Sequence, residues 1–268
     1  MSEPDFRIVK HCGLGRNADQ MLSPVSGFWA LCPIPRVDPE YSCYTVEDDF
    51  TSFDVGDTTS KWTLGQTNGT AALVSAEATT GLGGVVALTA ANNDNDFAQI
   101  KVTSTNTGAP FKLTASSGKK LWFAARVYPS SIATDASYYV GLFNPGTTEI
   151  QADNTGAMHA STLIDGIYLR TLCATPTEID IAVAKNSTET EAKGAAGTLA
   201  VAWTVLGFYF DGAETLSFYQ DGVLIGSADM DATNMPDDQG LTPALAVKSG
   251  TTTSFALNCD WIKCVQVR

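Results

Sequence analysis

Apolar and polar residues alternate over short runs along most of this chain, and clusters of Gly, Asn, Asp and Ser separate the runs. No long stretch repeats apolar residues at the spacing of an amphipathic helix. A new run begins about every ten residues, which is typical of β-sandwiches and barrels. The pattern therefore predicts an all-β protein. So many strands in one contiguous region favour two packed antiparallel sheets over a single open sheet.

The clearest predicted element is a β-hairpin near the C-terminus. Residues 215–220 alternate, Asp221 and Gly222 tolerate the positive φ of a two-residue turn, and residues 223–225 form the returning strand. The other predicted strands are residues 61–65, 71–75, 84–89, 98–103, 121–128, 138–143, 167–172, 178–184, 201–210, 244–247 and 254–267. We interpret residues 46–268 as the sandwich domain.

Residues 1–45 have a different pattern, with no alternating run and several prolines. A residue before proline is pushed out of the α region, so we expect an extended N-terminal arm. The arm also carries more apolar side chains than a disordered linker usually has. Its candidate partner-binding residues are Phe6, Ile8, Met21, Leu22, Phe28, Trp29, Leu31, Pro33 and Pro35. Two interpretations stay open: the arm packs on its own sandwich, or it lies on another protein subunit.

The charge of the chain excludes several classes of partner. There are 16 Lys and Arg residues against 29 Asp and Glu, a formal net charge of −13. An acidic surface repels a phosphate backbone, so no nucleic-acid partner is expected. Only −1 of this charge falls on residues 1–45. A nearly neutral apolar arm joined to an acidic sandwich is typical of a docking segment attached to a solvated outer domain.

The sequence predicts a protein made in the cytoplasm with reduced thiols. The N-terminus lacks the basic and apolar stretches of a secretion signal, and no apolar run is long enough to cross a bilayer. The six cysteines include no CxxC pair, which argues against a disulfide framework. The spacing of His11, Cys12, Cys32 and Cys43 fits no common zinc pattern, and the thiol or metal state of these cysteines is left open.

Two C-terminal segments resemble a known fold family. Residues 206–226, with Asp221-Gly222 in a turn, and residues 255–265, with Asp260 before an aromatic residue, resemble the late strands of the concanavalin A-like lectin/glucanase sandwich, including laminin G-like modules. The resemblance covers about residues 47–268 and implies a two-sheet antiparallel jelly-roll β-sandwich. It also implies a candidate structural Ca²⁺ site near the first and last strands, with Asp49 and Asp260 as ligands. This sandwich hosts lectins, glycosidases, adhesion modules and viral structural proteins, so the fold does not specify a function.

A comparison with the β-glucanases of this family tests the enzymatic hypothesis. These enzymes carry three carboxylates on one face of one strand. Glu178 and Asp180 match the nucleophile and the assisting position, but the third place holds Ala182 or Val183. Retaining hydrolysis needs two carboxyl groups about 5 Å apart, so we expect no catalytic residues and no enzyme. The two carboxylates are then the solvent-facing half of an alternating strand, unless another carboxylate reaches in from a loop.

A glycan-binding surface needs aromatic faces beside hydrogen-bonding groups. Alternation places Trp122, Arg126 and Tyr128 on one face of residues 122–128. It places Tyr168 and Arg170 on one face of residues 167–172. If both faces joined the two carboxylates on one concave sheet, the candidate glycan-binding residues would be Trp122, Arg126, Tyr128, Tyr168, Arg170, Glu178 and Asp180. The alternative is that Trp122 and Trp203 are core residues and the rest form an ordinary surface.

The organisation of the whole chain resembles the auxiliary structural proteins of tailed bacteriophages. These proteins are made in the host cytoplasm and attach to the capsid as decoration or cement proteins, sometimes as trimers. The resemblance implies a homo-oligomer on the capsid surface of a virion, with the major capsid protein or another virion subunit as partner and no membrane or cofactor. We therefore expect a non-enzymatic structural protein that attaches through its arm, with the sandwich facing outward. A carbohydrate-binding module that touches host glycans is the alternative, and a glycoside hydrolase is the third hypothesis. Capsid and tail locations both stay open.

Overall fold

A computed structural model of the protein describes residues 43–55, 60–74, 84–102, 109–133, 135–151, 153 and 164–268. Over these ranges every regular element is a β-strand, which confirms the predicted all-β class. The strands are Cys43–Asp48 (β1), Trp62–Thr67 (β2), Thr70–Val74 (β3), Val85–Ala90 (β4), Phe97–Val102 (β5), Leu121–Pro129 (β6), Ala136–Phe143 (β7), Gly166–Leu172 (β8), Thr175–Lys185 (β9), Thr188–Thr198 (β10), Thr204–Phe210 (β11), Thr215–Gln220 (β12), Val223–Asp229 (β13), Thr242–Ser249 (β14) and Phe255–Val267 (β15).

The strands form two antiparallel sheets that pack face to face. Sheet A has the order β13-β12-β11-β6-β15-β4-β3, with β1 paired to the C-terminal half of β15. Sheet B has the order β10-β9-β8-β7-β14-β5-β2. The predicted two-sheet sandwich is therefore confirmed. Many neighbouring strands are distant in sequence, so the order of strands depends on long-range pairing.

Alternation decides which side chains fill the space between the sheets. On β6, Phe123, Ala125 and Val127 belong to the core cluster that joins the two sheets, so the alternate residues, including Trp122 and Arg126, face outward. On β8, Ile167 and Leu169 face this core, and Tyr168 belongs to a second apolar cluster outside it. Each sheet therefore has an inner face in the core and an outer face directed away from the other sheet.

A β-bulge in β15 keeps one long strand facing the core. Leu257 and Cys259 point inward before the bulge, whereas Ile262 and Cys264 point inward after it. The change of parity occurs where the pairing with β6 skips Asp260. A bulge inserts one extra residue and so shifts the phase of the side chains. As a result, β15 pairs with β4 along its first part and with β1 along its second part.

The predicted hairpin is present as β12 and β13, and both turn residues have positive φ, 49° at Asp221 and 77° at Gly222. Two strands were not predicted. β10 is an exposed edge strand rich in Thr, Glu and Gly, with no apolar alternation to reveal it. β1 begins at Cys43, inside the predicted arm of residues 1–45, because its pairing with β15 places it in the sandwich. β11 begins three residues later than predicted.

Residues 1–42 lie outside the described residues. All nine candidate partner-binding residues of the arm are in this segment, as are three of the four candidate zinc ligands. In the described ranges, Cys43, Cys173, Cys259 and Cys264 carry free thiols. No helix in these ranges has the length and apolarity needed to span a membrane.

Candidate functional site

The predicted glycan-binding residues lie on two different sheets. Trp122, Arg126 and Tyr128 face outward from β6 in sheet A, whereas Tyr168 faces outward from β8 in sheet B. The outer faces of the two sheets point in opposite directions. The condition for one joint surface is therefore not met, because sequence alternation gives the face of a strand but not the sheet to which that strand belongs.

Most of the predicted residues on sheet B are buried. Tyr168 is 0% exposed, and Arg170 and Asp180 are 5% and 4% exposed. Only Glu178 is exposed. The expectation that both carboxylates of β9 face solvent is therefore wrong for Asp180, which lies in a polar cluster on the outer face of the sheet.

The strand register arranges this outer face in rows. Tyr139, Arg170 and Asp180 are directly paired across β7, β8 and β9. The next row holds Gly141, Tyr168 and Ala182 on the same strands. The small residues leave room for the rings, and Tyr168 lies 5.8 Å from Tyr139 and 4.7 Å from Phe143 between ring centroids. Aromatic packing and small residues therefore close the middle of the face.

Arg170 is the centre of a buried ion-pair cluster with three carboxylates, which we call the Arg170 cluster. Its Nη1 lies 2.5 Å from Glu189 Oε1, its Nη2 3.6 Å from Glu191 Oε2, and its Nε 3.8 Å from Asp180 Oδ2. The Tyr168 hydroxyl donates to Glu189, and Asp180 Oδ1 accepts from the Ala195 amide at 2.9 Å.

Burial and charge oppose each other at this cluster. Burial raises the pKa of the Glu189 carboxyl, and the attraction of Arg170 only partly offsets that effect. Burial alone would lower the pKa of Arg170, but Glu189 and the surrounding groups raise it. Arg170 therefore stays charged, and it forms its ion pairs with carboxylates of the same chain.

The segment 144–151, which follows β7, crosses the other half of the same face, and we call it the strap. Three polar side chains of sheet B bind it. Gln99 Nε2 donates to the carbonyls of Thr147 and Thr148 at 3.0 and 2.7 Å, and Lys101 Nζ donates to those of Asn144 and Thr148 at 3.3 and 3.2 Å. Lys248 Nζ donates to the Glu149 carboxylate and, at 3.2 Å, to the Gln151 carbonyl. The strap also runs close to β2, since a Cβ at Gly65 would lie 2.4 Å from the Thr147 oxygen.

Lys101 is fully buried beneath the strap. Its ammonium group donates to neutral carbonyl oxygens, so burial lowers the pKa of Lys101 to about 8. Neither Lys101 nor Lys248 was among the predicted site residues. A sequence signal exists for both: each lysine lies in a short strand of mostly apolar residues, which indicates that its strand is buried on both faces.

The structure also shows which residue lies at the third position of the glucanase-like motif. Ala182 faces outward on β9, directly opposite Glu191 of β10. Glu191 already lies in the Arg170 cluster. The acid/base position on β9 therefore holds a methyl group beside an ion-paired carboxylate.

The outer face of sheet A carries a smaller polar and aromatic group. Arg126 Nη1 lies 2.5 Å from Asp260 Oδ2, and the guanidinium lies 4.6 Å from the centroid of the Trp203 ring. Tyr128 is 5.5 Å from the same ring. We call these four residues the Trp203 platform. Trp122 lies on the same face but is 2% exposed and packs against Tyr209, so it is buried outside the inter-sheet core.

The candidate Ca²⁺ ligands are engaged elsewhere. Asp260 pairs with Arg126, and Asp49 Oδ1 accepts from the Thr51 hydroxyl at 3.1 Å. Among the residues whose structure is described, no group of three or more His, Cys, Asp or Glu could hold a metal ion. The Ca²⁺ site that the resemblance implied stays a prediction.

No protein-family model and no curated protein matches this sequence. Solved structures do match its fold. A protein of unknown function from Shewanella oneidensis has a TM-score of 0.55 and 16% identity, over 85% of this chain and 87% of that one. The Emp47p carbohydrate recognition domain has a TM-score of 0.52 and 12% identity, over 82% and 94%. A glycosidic hydrolase has a TM-score of 0.50 and 13% identity, over 83% and 95%.

At these identities the likeness concerns the fold alone. It agrees with the strand order, the antiparallel pairing and the two packed sheets described above. The chain therefore has the concanavalin A-like jelly-roll sandwich fold.

Proposed function

We propose that this chain is a non-enzymatic structural protein of a virus particle. It is made in the host cytoplasm and attaches to the major capsid protein or another virion subunit through residues 1–45. The acidic sandwich faces outward, and several copies assemble as a homo-oligomer. The capsid surface is the proposed location.

The observation that supports a non-catalytic role is the occupation of the outer face of sheet B. The strap covers one half, where Lys101 and Lys248 hold it. On the other half, the carboxylates of the Arg170 cluster are ion-paired within the chain. Polar groups that already have partners inside the protein stabilise the fold and are poorly placed to bind a substrate.

The position of β1 supports attachment through the arm. Cys43 pairs with Val267 at the end of β15, so the arm joins the sandwich beside its last strand. The arm is nearly neutral and apolar in sequence, whereas the sandwich carries the remaining formal charge of −12. An apolar segment can contribute buried area on another subunit while a charged domain keeps the particle surface solvated.

The test compares capsid binding by the full chain with binding by a chain that begins at Ser42, which keeps all of β1. The shortened protein is expected to retain the strand signal in circular dichroism but to fail to sediment with capsids. As a control, the double substitution Val223→Ser and Leu224→Ser removes the most exposed apolar side chains of the sandwich, at 63% and 58%, and should leave binding unchanged. Full binding without the arm would contradict the proposal.

Carbohydrate binding is the second candidate function, and the Trp203 platform is the observation that favours it. Arg126 is 33% exposed beside an aromatic ring, which is the chemistry that a glycan needs. One fold neighbour, from Emp47p, is a carbohydrate recognition domain. We expect Trp203→Ala to abolish any glycan-array signal, while Tyr44→Ala, a change at an exposed aromatic residue on β1, preserves it. An array without signal for the full chain would argue against this function.

A hydrolase is the hypothesis that we do not propose. Over a broad panel of polysaccharides, we expect no release of reducing sugar. Turnover that disappears in Glu178→Gln, a change at an exposed side chain, would show that the chain is an enzyme after all.

A further inference from the structure

A polar pocket of about 440 Å³ opens between four connecting segments. These are the segments between β5 and β6, between β7 and β8, between β9 and β10, and between β13 and β14. The pocket shares no lining residue with the Trp203 platform, which lies on the outer face of sheet A. Its lining residues are Ala109, Asn144, Pro145, Asp165, Asn186, Gln239 and Gly240. We call it the Asp165 pocket.

The walls of the Asp165 pocket are fixed by backbone contacts. Phe111 and Leu241 exchange two hydrogen bonds, at 3.2 and 2.6 Å, which hold the segment at Ala109 against the segment before β14. A Cβ at Gly240 would lie 2.6 Å from the Ala109 oxygen, so the two segments touch. On the other side, the Asn144 amide donates to the Asp165 carbonyl at 3.0 Å. Backbone contacts therefore join these described parts of the wall.

Asp165 lies in this wall with an incomplete set of partners. Its side chain lines the pocket, yet the residue is only 3% exposed. Oδ1 accepts from the Asn186 amide at 2.8 Å, whereas Oδ2 has no hydrogen-bond partner within the described ranges. Burial raises the pKa of Asp165, and the charge of Asp238 adds to that effect. Removing a carboxylate from water is costly, and a further cation that entered the pocket would offset part of that cost.

The rim adds to the negative character of the pocket. Asp237 and Asp238 immediately precede the lining residue Gln239, and both carboxylates hold Lys185, at 2.6 and 3.3 Å. That lysine is therefore shared between two rim carboxylates, and it lowers the pKa of Asp165 less than burial raises it. The summed charge of Asp165, Asp237, Asp238 and Lys185 therefore stays negative.

We propose that the Asp165 pocket binds the guanidinium group of an arginine side chain from a partner protein. A guanidinium presents several N–H donors in one plane, which matches a carboxylate oxygen beside side-chain amide oxygens. Asp165 Oδ2 supplies the charged acceptor, and the amides of Asn186 and Gln239 supply neutral ones. Pro145 and Ala109 offer apolar surface to the methylene stem of the arginine.

Other ligands satisfy the pocket less well. A lysine ammonium is a compact, strongly hydrated charge that cannot span a carboxylate and two amides in one plane. A Ca²⁺ ion takes six to eight oxygens, more than this wall offers from charged groups. A neutral sugar leaves the charge of Asp165 uncompensated. The inference rests on the proposed function only for the identity of the partner, because a virion subunit is the proposed carrier of the arginine.

The test uses the full chain and the probe N-acetyl-L-arginine amide, which carries the side chain without terminal charges. We expect binding with a dissociation constant of about 1 mM by saturation-transfer NMR or calorimetry, as is typical of a single side chain. Asp165→Asn should weaken binding at least about tenfold, since a charge-assisted hydrogen bond is lost. The control Asp231→Asn changes an exposed carboxylate that does not line the pocket, on the connection between β13 and β14, and should bind like the wild type.

Gln239→Ala provides a second variant should Asp165→Asn fold poorly, because the Gln239 side chain is exposed. Gln239→Ala should weaken binding of the arginine probe by a smaller factor than Asp165→Asn does. Binding of the probe by the wild type should also weaken as the pH falls and Asp165 is protonated. Equal binding by wild type and Asp165→Asn would overturn the inference. So would tighter binding of N-acetyl-L-lysine amide, CaCl₂ or methyl mannoside, or no binding of the arginine probe at all. Because capsids are absent from this test, its failure leaves arm-mediated attachment to be judged by the sedimentation experiment.

Discussion

Replacing Lys101 with methionine should change the way in which stability depends on pH. The lysine is fully buried under the strap and donates to two carbonyl oxygens. Methionine has a similar length and no charge, so Lys101→Met removes the cost of burying an ammonium group. It also leaves the two strap carbonyls without these donors, which destabilises the variant by a roughly pH-independent amount.

The sign of the pH effect follows from the direction of the pKa shift. Burial lowers the pKa of Lys101 from 10.5 to about 8. Between these two values the unfolded chain holds a proton that the folded protein has released, so the wild type becomes more stable as the pH rises. Below pH 8 both states are charged and the folded state carries the full cost. The shift corresponds to about 3 kcal/mol when titration is complete, of which about 2 kcal/mol falls between pH 7 and pH 9.5.

Urea unfolding followed by tryptophan fluorescence under reducing conditions measures this difference. The quantity to compare is the change in unfolding free energy between pH 7 and pH 9.5, for wild type minus Lys101→Met. Burial raises the pKa of the Cys173 and Cys259 thiols, but their titration is common to both proteins and cancels. Lys119→Met is the matched control, because Lys119 is exposed. If the unfolding free energies of wild type and Lys101→Met changed equally between pH 7 and pH 9.5, the assignment of a buried, desolvated ammonium group beneath the strap would be refuted.

Two further substitutions test the outer face of sheet B. Arg170→Met should destabilise the protein by about 3–5 kcal/mol in urea unfolding, because it leaves buried carboxylates without their cation. The control Glu178→Gln, at an exposed position on β9, should cost less than about 0.5 kcal/mol. Equal destabilisation by the two substitutions would contradict the ion-pair account. Gly65→Ala should lower the stability by about 1–3 kcal/mol, since its Cβ would lie 2.4 Å from the Thr147 oxygen. The same change should speed hydrogen exchange in the strap, and unchanged exchange there would show that the strap does not depend on this close approach.

Local patterns in the sequence were enough to predict the class of fold. Alternation located β6, β8 and β9, and Asp221-Gly222 located the hairpin turn, because both signals depend only on neighbouring residues. The bulge at Asp260 did not prevent the prediction of β15, since apolar residues continue on both sides of it. β10 was missed because an exposed edge strand has no buried face to produce alternation.

The composition of the site could not be predicted in the same way. Arg126 on β6 and Arg170 on β8 occupy similar alternating runs, yet one lies on sheet A and is partly exposed, whereas the other lies on sheet B and is buried. The difference comes from the neighbours of each strand, which are set by long-range pairing. Glu189 and Glu191 were missed for the same reason, since they reach Arg170 from a strand that was itself not predicted.

The two lysines under the strap connect the sequence to the proposed function. A lysine inside an apolar strand is stable only if its ammonium group reaches an acceptor, so Lys101 and Lys248 require a second layer of chain above sheet B. The strap is that layer, and its carbonyls accept the donors of the sheet. In a sandwich whose outer face is used for binding, that layer would block the ligand. Residues that hold the strap therefore favour a scaffold role for sheet B, which agrees with the proposal that recognition occurs elsewhere, at the arm or the Asp165 pocket.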